Sequence, residues 1–228
     1  MSIRSDLFAL AEESYGDFQS RLLPTIDRDK IIGVRIPILR RYAKDLLKES
    51  AGQDFMADLP HDYYDEQMLQ GLMISQLSDY DQVVARLADF LPHIDNWAVC
   101  DSLRPQIFSQ HRADLIKLIP GWLASDHAYT VRFAINMLIV HFLGADFNPA
   151  QLDWVGQIKR DDYYIQMAMA WYFASALTKQ WQAAITYFEQ ANLPIWVHNK
   201  TIQKARESRQ ISSEAKAYLN SLKRKQDK

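Results

Sequence analysis

A turn bearing an aspartate, followed by a long apolar helical stretch, recurs at Asp62, Asp95, Asp126 and Asp161. A related start without the aspartate falls near Pro194. The intervals run from 31 to 35 residues, the period of helical repeats. Shorter helical stretches follow at residues 81–90, 114–123, 151–158, 181–189 and 213–223. One helix pair cannot bury its own apolar face, so pairs at such a period stack on their neighbours. No alternating run rich in Val, Ile and Thr competes with this pattern. The expected fold is therefore all-α, a superhelical array of antiparallel helix pairs in a single domain over residues 1–228, with a short basic tail from about residue 223. Such an array offers a curved binding face, and a solenoid with capped ends is expected to be a monomer.

Ahead of the repeats, residues 5–15 read as a helix with Leu7, Leu10 and Ala11 on one stripe. Residues 18–26 continue as a short helix interrupted near Pro24. Gly33-Val34-Arg35-Ile36-Pro37 reads as a turn opening the next helix, with Pro37 at the first helical position, where a missing N–H costs nothing. That helix carries Leu39, Tyr42, Ala43, Leu46 and Leu47 on one side, and Arg40, Arg41, Lys44 and Lys48 on the other.

Charge is unevenly spread. The formal total is −2, no footprint of a basic nucleic-acid binder. Yet residues 27–48 carry net +4, residues 193–228 net +6, and the stretch between them net −10. The positive segments are either faces for a polyanion or solvated helix surfaces. The longest mostly apolar stretch, residues 133–145, is too short and too polar to span a bilayer. The start of the chain has no apolar signal region, and one cysteine excludes an internal disulfide. A reducing cytoplasm is the expected compartment.

Most familiar chemistry is missing. There is no dinucleotide fingerprint, P-loop or H-E-x-x-H sequence. The six histidines are dispersed, with none at metal-ligand spacing from another or from the cysteine. No nucleophile elbow is present. Cys100 is expected to be a small core residue. The one suggestive short stretch is Asn96-Trp97-Ala98-Val99-Cys100-Asp101. Trp97 and Asp101 are four residues apart, on one face of a helix for which Asp95 or Asn96 can be the N-cap. The pair is either half of a pocket or a packed indole beside a solvated carboxylate.

Three later features add weight. Arg132 sits in Tyr129-Thr130-Val131-Arg132-Phe133-Ala134, on an otherwise apolar helix, and Trp171 sits in Met169-Ala170-Trp171-Tyr172-Phe173 one repeat later. The third is Asn199-Lys200-Thr201-Ile202-Gln203-Lys204-Ala205. With Gly33-Val34-Arg35-Ile36-Pro37 and Asn96-Trp97-x-x-x-Asp101, this ordered set resembles the AlkD-like DNA alkylation repair family over residues 8–222. Members are HEAT-like repeat DNA glycosylases. The resemblance implies a cleft that holds duplex DNA by its backbone and excises N3- or N7-alkyl purines without turning the base out of the stack. It implies Trp97 and Trp171 against the lesion's deoxyribose, Asp101 near its anomeric carbon, and Arg132 on a neighbouring phosphate. Arg40, Lys44, Lys200 and Lys204 would be further DNA contacts.

These residue types suit that chemistry. A cationic alkylpurine leaves without a general acid, and a carboxylate stabilises the oxocarbenium ion that forms on the sugar. Indole faces favour the same cation. Neither metal nor cofactor is required. Arg132 would alternatively serve as a structural ion-pair partner, and the two indoles as inter-repeat core. In one respect the chain departs from the family pattern. Trp171 is followed by Tyr172-Phe173-Ala174-Ser175, where an Arg-Glu pair is frequent. A non-catalytic member binding duplex or branched DNA, or a protein-interaction solenoid, are the other functions this sequence accommodates.

Overall fold

The computed structural model describes residues 2–225, so the last three residues of the expected basic tail lie outside the described part. The chain forms two compact units, Met1–His111 and Arg112–Lys228. The first holds α1 (Ile3–Ala9), α2 (Glu13–Leu22), α3 (Ile36–Leu46), α4 (Ser50–Ala57), α5 (Tyr64–Gln76), α6 (Tyr80–Phe90) and α7 (Trp97–Ser102). The second holds α8 (Arg112–Leu123), α9 (Ala128–His141), α10 (Ala150–Gly156), α11 (Tyr163–Lys179), α12 (Trp181–Ala184), α13 (Thr186–Glu189), α14 (Ile195–Glu207) and α15 (Ser213–Ser221). No strand occurs among the described residues, and none of their helices is long and apolar enough to cross a membrane. The fold is all-α.

Helices stack from pair to pair as the period requires. In the first unit α3 packs on α5 and α5 on α7, with α4 beside α3 and α6 beside α5. In the second, α9 packs on α11 and α11 on α14, with α8, α10 and α15 alongside. The central helices are buried all round: every residue of α9 from Tyr129 to Leu138 is buried, as expected of a helix flanked on several sides. The repeat helices begin one or two residues after Asp62, Asp95, Asp126, Asp161 and Pro194. In each case the residue after the aspartate is the cap, not the aspartate itself. Asn96 caps α7 by accepting the Val99 N–H at 2.9 Å, and His127 Nδ1 takes the Thr130 N–H of α9. At α11 the cap is Asp162, the neighbour of Asp161, which accepts from Tyr164 and Ile165.

The structure corrects three boundaries. The helix expected over residues 5–15 is broken, because the Glu12 N–H leaves the helix to bond the Gly33 carbonyl at 3.0 Å; the second helix then starts at Glu13 and stops before Pro24. The helix opened at Asp95 is short rather than long. The chain leaves the helical region at Leu103, with ψ 98°, ahead of Pro105, whose ring disfavours helix at the residue before it; Arg104 Nε returns to the Asp101 carbonyl at 3.0 Å, satisfying the helix end. Pro37 occupies the second helical position, not the first, where its N–H would equally have been unpaired.

Unit one is tied together by a carboxylate. Asp65 on α5 is fully buried and accepts the N–H groups of Ile32 at 2.7 Å, Gly33 at 3.2 Å and Val34 at 2.7 Å. Burial raises its carboxyl pKa, and those backbone donors offset only part of the rise. Gly33 adopts φ 96°, and a Cβ there would meet the Glu12 carbonyl and the Gly16 nitrogen at 2.8 Å. Only glycine fits this loop.

Unit two contains two histidines held neutral. Burial, aided by Arg112, brings His141 down to about 4; Arg112 itself pairs with Asp146 at 3.3 Å. His198 is fully buried and also lowered, chiefly by burial. Its Nε2 donates to the Leu222 carbonyl at 2.8 Å, leaving Nδ1 buried without a partner among the described residues. A histidine whose folded pKa is depressed stabilises fully above its unfolded value near 6.5 and loses that contribution as pH falls toward the folded value. Unit two is therefore expected to lose about 1–3 kcal/mol between pH 6.5 and 4 through His141. Urea unfolding at a series of pH values, with wild type and His141→Gln, measures this; the variant should show the shallower slope.

Candidate functional site

In unit one, α7 is set in place from its first turn. The cap Asn96 is fully buried, and its Nδ2 donates to Gln67 Oε1 on α5 at 3.3 Å and to Asp95 Oδ1 at 2.9 Å. The next residue, Trp97, is half-buried and donates its indole N–H to the Leu22 carbonyl at 3.2 Å. Leu22 is the last residue of α2. The indole edge is thus fixed against the carbonyl end of a helix, where the macrodipole is negative. One turn further along the same face is Asp101, also half-buried. Cys100 is fully buried, as expected of a core residue. Arg40 and Lys44 are exposed one turn apart on α3, and a carbonyl oxygen of Arg40 takes a bond from Gln76 Nε2 at 3.3 Å.

A cleft of ≈ 370 Å³ opens at the start of α5, lined by Asp29, Lys30, His61, Asp62, Tyr63, Tyr64, Gln67 and Asp95, with Ile26. Three carboxylates against one ammonium make it repel phosphate rather than attract it.

In unit two, Arg132 is 5% exposed. Its Nη1 donates to the Tyr164 carbonyl at 2.9 Å, across the seam where α9 packs on α11. Trp171 is half-buried and faces a cleft of ≈ 330 Å³ between α11 and α14, lined also by Ala174, Ser175, Thr178, Lys179, Lys204, Glu207, Ser208 and Gln210. Trp171 and Lys204, one repeat apart in sequence, therefore line the same cleft. Lys200 Nζ donates to Gln203 Oε1 at 3.1 Å on its own helix.

The Asn199–Ala205 run divides its work. Asn199 grips the chain beyond α15: its Nδ2 donates to the Arg224 carbonyl at 2.8 Å, and its Oδ1 accepts the Arg224 N–H at 3.0 Å. Arg224 Nη1 in turn donates to the Leu193 carbonyl at 2.8 Å. The aromatic residues of α11 divide between core and surface. Tyr172 and Phe173 are fully buried, with ring centroids 5.4 Å apart, while Tyr163 is 55% exposed and meets Trp196 edge-on at 5.8 Å.

Two participants escaped the sequence reading. The Leu22 carbonyl carries no side-chain signal. Lys179 was findable, since Trp171, Ser175, Thr178 and Lys179 stand at helical spacing on one face.

A family model described as DNA alkylation repair enzyme matches residues 3–219, a span containing every candidate residue. Comparison with curated proteins finds no match.

Proposed function

This chain belongs to the DNA alkylation repair enzyme family, and within that role we propose that it is a glycosylase releasing cationic N3- or N7-alkylpurines from duplex DNA. The observation that supports this best is the pairing on α7. Trp97 and Asp101 are one turn apart and half-buried, and the Trp97 N–H is committed to the Leu22 carbonyl. With that edge fixed, the indole has its ring to offer and no donor.

The proposed chemistry follows from charge. The alkylated base already carries a positive charge, so the glycosidic electrons leave with it and no acid is needed. Positive charge builds on the sugar. The Asp101 carboxylate stabilises that charge and orients the attacking water. The Trp97 ring face, one turn from that carboxylate, favours the same cation. Arg132, buried and braced by the Tyr164 carbonyl, acts as a preoriented cation for a neighbouring phosphate. Arg40, Lys44, Lys200 and Lys204 add backbone contacts that fix register without reading sequence.

The test is base release from a methylated duplex oligonucleotide under single-turnover conditions. Release of 7-methylguanine or 3-methyladenine is the expected result. Tight binding of the duplex with no release would move the protein to a second reading, non-catalytic binding of DNA. The uncharged Tyr172-Phe173-Ala174-Ser175 sequence after Trp171 favours that alternative.

A further inference from the structure

The cleft beneath Trp171 holds cations that the fold leaves un-neutralised. Two lysines elsewhere are tied to carboxylates, Lys48 to Asp45 and Lys117 to Asp114, each at 2.8 Å. Among the described residues neither Lys179 nor Lys204 meets a carboxylate at salt-bridge distance, although both line one cleft with Trp171. The acid in that cleft, Glu207, receives Gln203 Nε2 at 3.3 Å. Small residues at 174 and 175 leave the space open. Two lysines from different helices thus line one hollow together with an indole, which suits an anion attached to an apolar ring.

We infer that Lys179 and Lys204 clamp one phosphate of the DNA backbone in this cleft, next to the sugar that Trp171 faces. They are positioning residues: they set the register of the duplex and do not touch the breaking bond. The inference rests on the reading above that duplex DNA is the ligand, and it adds Lys179 and a defined phosphate subsite to it. Lys179 also lies in the last turn of α11, where a cation complements the negative helix end. That role would appear in stability and not in salt dependence.

The experiment is binding of an undamaged duplex oligonucleotide across a salt series, using wild type, the Lys179→Ala/Lys204→Ala double variant, Lys204→Arg and Lys216→Ala. Lys216 lies on α15, outside this cleft. Loss of one phosphate contact lowers the slope of log K against log salt by about 0.9. The expected result is that drop in the double variant, with wild-type slopes for Lys204→Arg and Lys216→Ala. An unchanged slope in the double variant overturns the subsite and leaves DNA binding standing. An equal drop in Lys216→Ala overturns it too, since the effect is then general charge. Failure of the wild type to bind duplex at low salt overturns both the subsite and the reading beneath it. A slope drop in a protein that releases no base supports the subsite and removes only the glycosylase.

Discussion

Asp101→Asn is expected to slow single-turnover release of 7-methylguanine about 10²–10³-fold, the usual effect of removing one group that stabilises transition-state charge. Duplex affinity should be little changed. The substitution keeps shape and removes only the charge. The bond that closes the helix end goes from Arg104 Nε to the Asp101 carbonyl, a backbone group that the substitution keeps. The helix start, fixed by Asn96 on Gln67 and Val99, is also untouched. Circular dichroism and a salt series on undamaged duplex check that fold and binding survive. Release at the wild-type rate would falsify the role given to Asp101.

The largest loss of stability is expected from Asp65→Ala, about 3–5 kcal/mol, the range for breaking a buried charged network. The carboxylate is the acceptor for Ile32, Gly33 and Val34, which are themselves buried. Alanine strands all three N–H groups away from water, and each unpaired donor costs about 1–3 kcal/mol. It also frees the loop that the broken first helix was shaped to receive, since Glu12 bonds the Gly33 carbonyl. Asp65→Asn keeps one acceptor oxygen but turns an amide NH2 toward a donor, so it should fall between alanine and wild type. Urea unfolding of the three proteins orders them. Equal stability of the alanine variant and wild type would mean the loop finds other acceptors.

The repeats were legible because two periodicities coincide in them. A polar turn recurs every 31 to 35 residues, and apolar residues between turns keep helical spacing, so each start was placed within two residues. Boundaries failed where the deciding partner was remote. The break after α1 depends on Gly33, more than twenty residues away, and a local pattern cannot report it. The shortness of α7 was in principle readable, since Pro105 restricts Arg104 whatever the tertiary context. Within the candidate site, the Trp97–Asp101 spacing survives translation into structure because it lies within one helix. The tie from Trp97 to Leu22 does not, because a backbone acceptor looks the same at every residue. Lys179 carries no signal of its own: a lysine in the last turn of a helix is ordinary until a second lysine is found lining the same cleft.

Lys223-Arg224-Lys225 is three consecutive sites for a trypsin-like protease. In the native protein this triplet should nevertheless resist cutting. A protease must lay its substrate out as an extended strand, and Asn199 holds Arg224 by both its N–H and its carbonyl. The Arg224 side chain, the part a specificity pocket would have to swallow, is occupied by the Ala191 and Leu193 carbonyls. Digestion after Arg224 then proceeds from molecules in which that residue has come off α14. The cleavage rate there becomes a clock for how often that end of the protein opens.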